Sequence, residues 1–228
     1  MRATRPSSRS FYVGMSVSFL LTVIIGFSNS HRLRAMSGAH PLALSVRIHA
    51  ALFFSWFLIL LLQAALIRSG RVAVHRIVGT AAAVLAALIV VDGPVVAISA
   101  ARRGALPGDA LAFMLVMIGD VLGFGAFVAA AVYLRGNGEV HKRLMLLAST
   151  SLLPPAIFRW PLVTGSHAAV GIIMVAFLAV APLRDRLTGG RVSPVSLWGA
   201  IALLVSVPLR IAIAQTAAWH QFAAWLIG

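Results

Sequence analysis

The stretch that decides how this chain is read is His141-Lys-Arg-Leu-Met-Leu-Leu-Ala-Ser-Thr-Ser-Leu-Leu-Pro-Pro-Ala-Ile-Phe-Arg-Trp-Pro161. Its middle is apolar enough for a lipid-facing helix. A basic cluster opens it, Pro154-Pro155 interrupts it, and Arg159 sits close to its far end. A charge inside hydrocarbon costs at least about 2.5 kcal/mol, so Arg159 calls for a partner, water or a function. The stretch predicts a membrane span over 142–164 with chemistry at both ends. His141 and Arg159 would lie roughly 27 Å apart on one face of an unkinked helix.

The rest of the chain supports a lipid solvent. Of its 228 residues 61% are hydrophobic and 11% charged, more apolar surface than one water-soluble core can hide. A formal net charge of +14 would suggest nucleic acid in a soluble protein. Here the arginines lie in short loops between apolar runs, where they fix membrane orientation, so nucleic acid is not implied. Without cysteine there is no disulfide, thiolate metal site or iron-sulfur cluster, and any metal would rest on His, Asp or Met.

Working outward from the central stretch, apolar runs predict spans at 11–28, 43–66, 77–100, 111–134, 142–164, 168–183 and 195–215. The predicted fold is an all-α polytopic bundle of seven membrane helices, a single integral membrane domain over 1–228. The first run follows Arg2, Arg5 and Arg9 like a signal peptide, but no Ala-x-Ala pattern comes after it, and a retained anchor is expected. With the N-terminus inside, the cytoplasmic segments hold Arg2, Arg5, Arg9, Arg68, Arg71, Arg76, Arg135, Lys142, Arg143, Arg184, Arg186 and Arg191. The opposite side holds Arg32, Arg34, Arg47, Arg102 and Arg103, so the bias places the C-terminus outside. Residues 216–228, with Trp219, His220, Phe222 and Trp225, either extend the seventh helix or lie at the interface as an aromatic anchor.

The inward turns look alike. Arg68-Ser-Gly-Arg-Val-Ala-Val-His75-Arg76 and Arg135-Gly-Asn-Gly-Glu-Val-His141-Lys142-Arg143 both turn on glycine and open the returning helix with Val-His and a base. Gly190-Arg191-Val192 repeats Gly70-Arg71-Val72. One leading helix plus three related hairpins would account for the pattern, as would convergence of short membrane turns on Gly and Arg.

Asp92, followed by Gly93-Pro94, and Asp120 each fall roughly 13 Å from the outer end of their spans. Arg159 and Arg210, each just past a proline, fall toward the same leaflet, so two acids can meet two bases. One reading is a buried polar site in the outer half, with the aspartates as proton or cation carriers and the arginines as counter-charges or anion-binding groups. The other is two ion pairs that lock helices together with no ligand. Pro94 and Pro154-Pro155 break helical regularity beside these charges, which favours the first.

The histidines form two groups. His75 and His141 open spans at the inner boundary; His31, His40, His49, His167 and His220 lie toward the outer one. Paired neutral imidazoles near each face are how bundles hold haem b, which would pair His75 with His141 and His49 with His167. Copper could use outer His with Met. Histidines beside Arg or Lys at span ends also serve as interfacial residues bonded to water and headgroups, and no tight ligand spacing occurs. Gly119-Asp120-Val-Leu-Gly123 is a small-x-x-x-small pattern suited to close helix approach within the bundle. There is no P-loop, dinucleotide fingerprint, Gly-x-Ser-x-Gly elbow or His-Glu-x-x-His motif, and no catalytic residue or reaction is assigned.

His141-Lys142-Arg143-Leu144-Met145, Pro154-Pro155 and Arg159-Trp160-Pro161, together with Phe11 to Met15, Val46-Arg47-Ile48-His49, Trp56, Gln63, Gly70-Arg71, His75-Arg76 and Gly119-Asp120, carry a resemblance. Over most of its length the chain looks like a group of uncharacterised bacterial multi-pass inner-membrane proteins. The two helix-opening histidines are more distantly similar to those of small membrane bundles that assist cytochrome oxidase assembly. The chain departs from the group at Ser193, where members carry histidine, and at Ser28-Asn29-Ser30-His31, where they carry aromatics. The resemblance implies the bacterial inner membrane, the lipid bilayer as environment, and a haem- or metal-associated role in respiratory electron transfer or oxidase assembly with a respiratory-chain partner. The alternatives are a small proton-coupled transporter using the Asp/Arg site and a non-catalytic structural membrane protein.

Overall fold

The computed structural model describes residues 6–38, 41–106, 108–163 and 165–228, with side chains from Ser10 onward. Arg2, Arg5 and His40 lie outside the described residues, as does the side chain of Arg9. The described residues are helical and contain no strand. The helices are α1 (Pro6–Met36), α2 (Leu44–Arg68), α3 (Val72–Arg102), α4 (Ala110–Tyr133), α5 (Gly138–Ser151), α6 (Pro154–Ile157), α7 (His167–Gly189), α8 (Pro194–Ala214) and α9 (Ala217–Ile227). Six of them, α1 to α4, α7 and α8, are long and apolar enough to cross a membrane, as expected of a multi-pass membrane protein.

The largest departure from the sequence reading is in the central stretch. The span expected over 142–164 is not one helix: α5 stops at Ser151, α6 is a single turn, and residues 158–163 run through turns. Two causes act together. The hydroxyls of Ser149, Thr150 and Ser151 donate back to the carbonyls of Met145, Leu146 and Ala148 at 2.9, 2.8 and 2.7 Å, which loosens the last turn. Pro154 and Pro155 then lack the N–H groups that would have bonded the carbonyls of Thr150 and Ser151. Pro94, Pro182 and Pro208, each single, leave their helices continuous. The second difference is at the C-terminus, where the chain breaks at Gln215 and Thr216. Thr216 Oγ1 accepts from the Trp219 amide at 3.2 Å and starts α9, a helix separate from α8.

The chain divides into two compact units, the first made of residues 1–87 and 153–174, the second of 88–152 and 175–228. In the first, α1 packs on α2 and α6 through a stripe at 15, 16, 19, 22, 23, 26 and 29. Gly26 lies on that stripe because a Cβ there would overlap the carbonyl oxygen of Ala156. Phe19, Trp56, Phe57 and Ile157 are its largest buried side chains.

In the second unit, Ala131, Leu144, Leu147, Leu178, Ala200 and Leu203 bring α4, α5, α7 and α8 into one core, with Gly199 giving room to Leu147. Ala97, Ala101, Met114 and Ala223 form a second cluster where α9 meets α3 and α4. Asp109 caps α4 by accepting from the amides of Leu111 and Ala112, and Asn137 caps α5 by accepting from those of Glu139 and Val140. The similar turns differ in chemistry. Gly70 and Gly190 turn with φ of 77° and 71°, whereas the turn before α5 has no positive-φ glycine and relies on Asn137.

Candidate functional site

Intramembrane and near-membrane charges assemble in three places. In the middle of α4 the Asp120 carboxylate accepts from Arg210 Nη1 of α8 at 2.8 Å, with both side chains about nine-tenths covered. The same Nη1 donates to the Val116 carbonyl at 2.7 Å, and Nε donates to the Ser206 carbonyl at 3.1 Å. Gly119 is what lets the guanidinium lie there, since a Cβ at that position would overlap Arg210 Cδ. Within the Gly119-x-x-x-Gly123 pattern it is Gly119 that makes room for the arginine, since a Cβ on Gly123 would meet nothing within 4 Å.

At the opposite end of α8, Arg143 of α5 forks onto Asp185 of α7. Nη1 reaches Oδ2 at 2.6 Å and Nη2 reaches Oδ1 at 2.8 Å. Arg143 also donates to Ser196 Oγ at 2.7 Å, and the Ser193 amide donates to Asp185 at 3.1 Å. This cluster draws together the start of α5, the end of α7 and the start of α8. Beside it His141 donates its Nδ1–H to the Ala131 carbonyl at 2.8 Å, closing the α4–α5 turn. Sequence reasoning passed over Asp185 because the span was ended at 183. The signal was there: Arg184-Asp185-Arg186 sets one acid among bases at a membrane boundary. Ser196 and Ser206, two small hydroxyl residues on an apolar helix, carried no such signal.

Arg159 is in the first unit, and its surroundings are different. Its Nη1 donates to the Pro155 carbonyl and its guanidinium carbon lies 5.2 Å from the Phe27 ring centre. Asn29, also missed from sequence, donates to the Arg159 carbonyl at 2.8 Å and accepts from Arg32 at 3.1 Å. Trp160 Nε1 donates to the Thr22 carbonyl at 3.0 Å. Of the four residues expected at one site, Asp92, Asp120, Arg159 and Arg210, three lie in the second unit and Arg159 in the first. Asp120 and Arg210 pair within the second unit, which also holds Asp92 on α3 beside Gly93, a glycine packed against Val121. Arg159 follows the break at Pro154, belongs to the first unit and has no carboxylate partner among the described residues.

The histidines of the expected haem pairs are placed as follows. His75 and His141 belong to different units. In the first unit, the His49 ring lies 4.2 Å from Phe53 and the His167 ring 5.1 Å from Phe158. His220 stands 3.2 Å from Asp109. No group of three or more His, Asp or Glu able to hold a metal occurs among the described residues.

Fold and charges define an all-helical, multi-pass membrane bundle with ion-paired arginines inside it. No family model, curated protein or solved structure matches the chain.

Proposed function

We propose that this is a bacterial inner-membrane carrier that couples proton movement to a small anion through the Asp120–Arg210 pair. The observation that carries the reading is the pair itself: an arginine from the last turns of α8 held by a carboxylate at the middle of α4 and by two backbone carbonyls. The Val116 and Ser206 carbonyls would keep Arg210 in place whether or not Asp120 is charged. Protonation of Asp120 would leave the guanidinium without its counter-charge, and an anion arriving on Arg210 would restore it. One proton and one anion then enter together with no net change in buried charge, the least costly way to load such a site.

The topology we infer has seven crossings, with the N-terminus inside and the C-terminus outside. The crossing between α4 and α7 is the broken one, made of α5, α6 and the turns after them. Irregular backbone of this kind is tolerated at membrane depth where protein or water covers it. Two levels within the second unit support the orientation. The Arg143 cluster and the His141–Ala131 bond put the ends of α4 and α7 beside the starts of α5 and α8. At the other end, Trp219 donates to the Leu111 carbonyl and Arg102 to the Leu226 carbonyl, which holds α9 against the α3–α4 end. On the seven crossings we infer, the His141 level is the inner one, and the sequence supports this with more arginine in the inward segments.

The test is proton flux into liposomes carrying an internal pH dye, driven by gradients of inorganic phosphate or succinate. Asp120→Asn should abolish the pH-linked flux in protein that still folds and reconstitutes, with a lowered thermal midpoint because Arg210 loses its counter-charge. Flux undiminished in that variant would reject the carrier.

One observation favours a second reading. The His141 Nδ1 bond to the Ala131 carbonyl orients the ring from the backbone, as outer-shell bonds orient metal-ligating imidazoles. Purified protein with a Soret band that His141→Ala removes would establish it; a colourless, metal-free protein would end it.

A further inference from the structure

We propose that the outer end of the first unit binds an anionic phospholipid, its headgroup phosphate gripped by Arg159 and Arg32 and its acyl chain lying along α1. The inference is independent of the carrier reading, which concerns the second unit. All five acids of the chain, Asp92, Asp109, Asp120, Glu139 and Asp185, belong to the second unit, so nothing within the first neutralises its arginines. Arg159 is half-buried, and among the described residues its guanidinium has one hydrogen-bond partner, the Pro155 carbonyl. Arginine carries five N–H donors, so most of its fork is still available. Asn29 ties the second cation to it, taking a bond from Arg32 at 3.1 Å and giving one to the Arg159 carbonyl at 2.8 Å. Arg32 has no other partner among the described residues.

Arg32 rests on the Asn29 side chain, which also holds the Arg159 backbone, and the Arg159 guanidinium lies over Phe27. Two cations tied to one stretch of α1, with no acid of their own unit, fit a group that presents two anionic oxygens, as a phosphodiester does. The depth agrees. Arg32 lies four residues from the end of α1 at Met36, roughly 6 Å along the axis, which is headgroup level. Below it on one stripe, Ile24 and Phe27 are 39% and 42% exposed, and Phe27 is the ring over which Arg159 lies. A cationic grip above an exposed apolar stripe matches an amphiphile better than a soluble anion.

Native mass spectrometry of the detergent-purified chain, with added phosphatidylglycerol or phosphatidylcholine, reads the site directly. The wild type should retain phosphatidylglycerol preferentially, and millimolar inorganic phosphate should not displace it. Arg32→Gln should weaken retention about fivefold, the contribution of one basic residue at a headgroup surface, and Arg159→Gln by more. Arg159→Lys should restore part of the loss, and Arg103→Gln, an exposed arginine of the second unit, should change nothing. Arg32, exposed at a helix end, keeps the test alive if Arg159→Gln unfolds. Equal retention by wild type and Arg32→Gln would overturn the proposal, and so would displacement of the lipid by inorganic phosphate.

Discussion

The two units of this protein solve the same problem, holding helices together in lipid, with different chemistry. The second unit cross-links its helices with charge. Arg143 reaches Asp185 and Ser196 across α5, α7 and α8, and Arg210 reaches Asp120 across α8 and α4. The first unit has ten arginines and no acid: Arg2, Arg5, Arg9, Arg32, Arg34, Arg47, Arg68, Arg71, Arg76 and Arg159. Side-chain ion pairs within it are impossible. It relies on close backbone approach at Gly26 and on side-chain donors to backbone carbonyls, Asn29 to Arg159 and Trp160 to Thr22. The apolar surroundings make both devices costly to break, since a group that loses its partner in hydrocarbon finds no water. They differ in how they respond to charge. A unit held by ion pairs can be switched by a proton; one held by carbonyl bonds and glycine contact cannot.

The largest expected effect breaks the charged side of this comparison. Arg143→Met leaves Asp185 without its forked partner and Ser196 Oγ without its donor. Removing one member of a buried ion pair typically costs about 3–5 kcal/mol. The variant should show a large drop in thermal midpoint in detergent, or fail to accumulate. The double variant Arg143→Met with Asp185→Asn should recover part of the loss, because no charge is then stranded. A double variant as unstable as the single one would show that Arg143 acts by packing alone.

Next in size is the same attack on the first unit. Gly26→Val puts a branched side chain where even a Cβ overlaps the Ala156 carbonyl oxygen. Backbone cannot turn aside as a side chain can, so α1 and α6 must separate, at a cost of about 2–3 kcal/mol. The loss should be the same from pH 5 to pH 8, because no titratable group takes part in the contact. A strongly pH-dependent loss would mean that the first unit also leans on charge, and the contrast would fail.

How much of this was legible follows from the range of the forces. The membrane helices were readable because each is a local run of apolar residues. Asp120 and Arg210 were readable as charges at similar depth, though not as each other's partner, because a charge in a span declares itself and helical rise sets its depth. The break at Leu152–Pro155 was half readable. The two prolines were visible, but three hydroxyl back-bonds from Ser149, Thr150 and Ser151 were needed to end the helix, and the run was read as continuous. That reading put Arg159 near the end of one unbroken helix, whereas it follows a break and is held against Phe27 and Asn29 of α1. Asn29 was unreadable for a different reason, and Asp185 showed only as an acid among bases, without its partner. Their roles depend on what lies 130 and 42 residues away in the chain, and no periodicity encodes that.

The smallest predicted effect tests the gentlest link in the first unit. Trp160→Phe keeps the apolar ring and removes one N–H donor, the one given to the Thr22 carbonyl at 3.0 Å. A neutral hydrogen bond contributes about 1 kcal/mol net, with more lost if the carbonyl is left dry. Thr22 Oγ1 is already engaged with the Ser18 carbonyl at 2.8 Å, so it cannot turn to compensate without giving that bond up. The thermal midpoint should fall by a few degrees, with no change at high salt, whereas Arg143→Lys, which keeps the charge and loses the fork, should respond to salt. If Trp160→Phe proves salt-sensitive, the carbonyl bonds of the first unit are coupled to its arginines through the Asn29–Arg32 contact. Neutral bonding would then describe only the centre of that unit, and its outer end would be electrostatic.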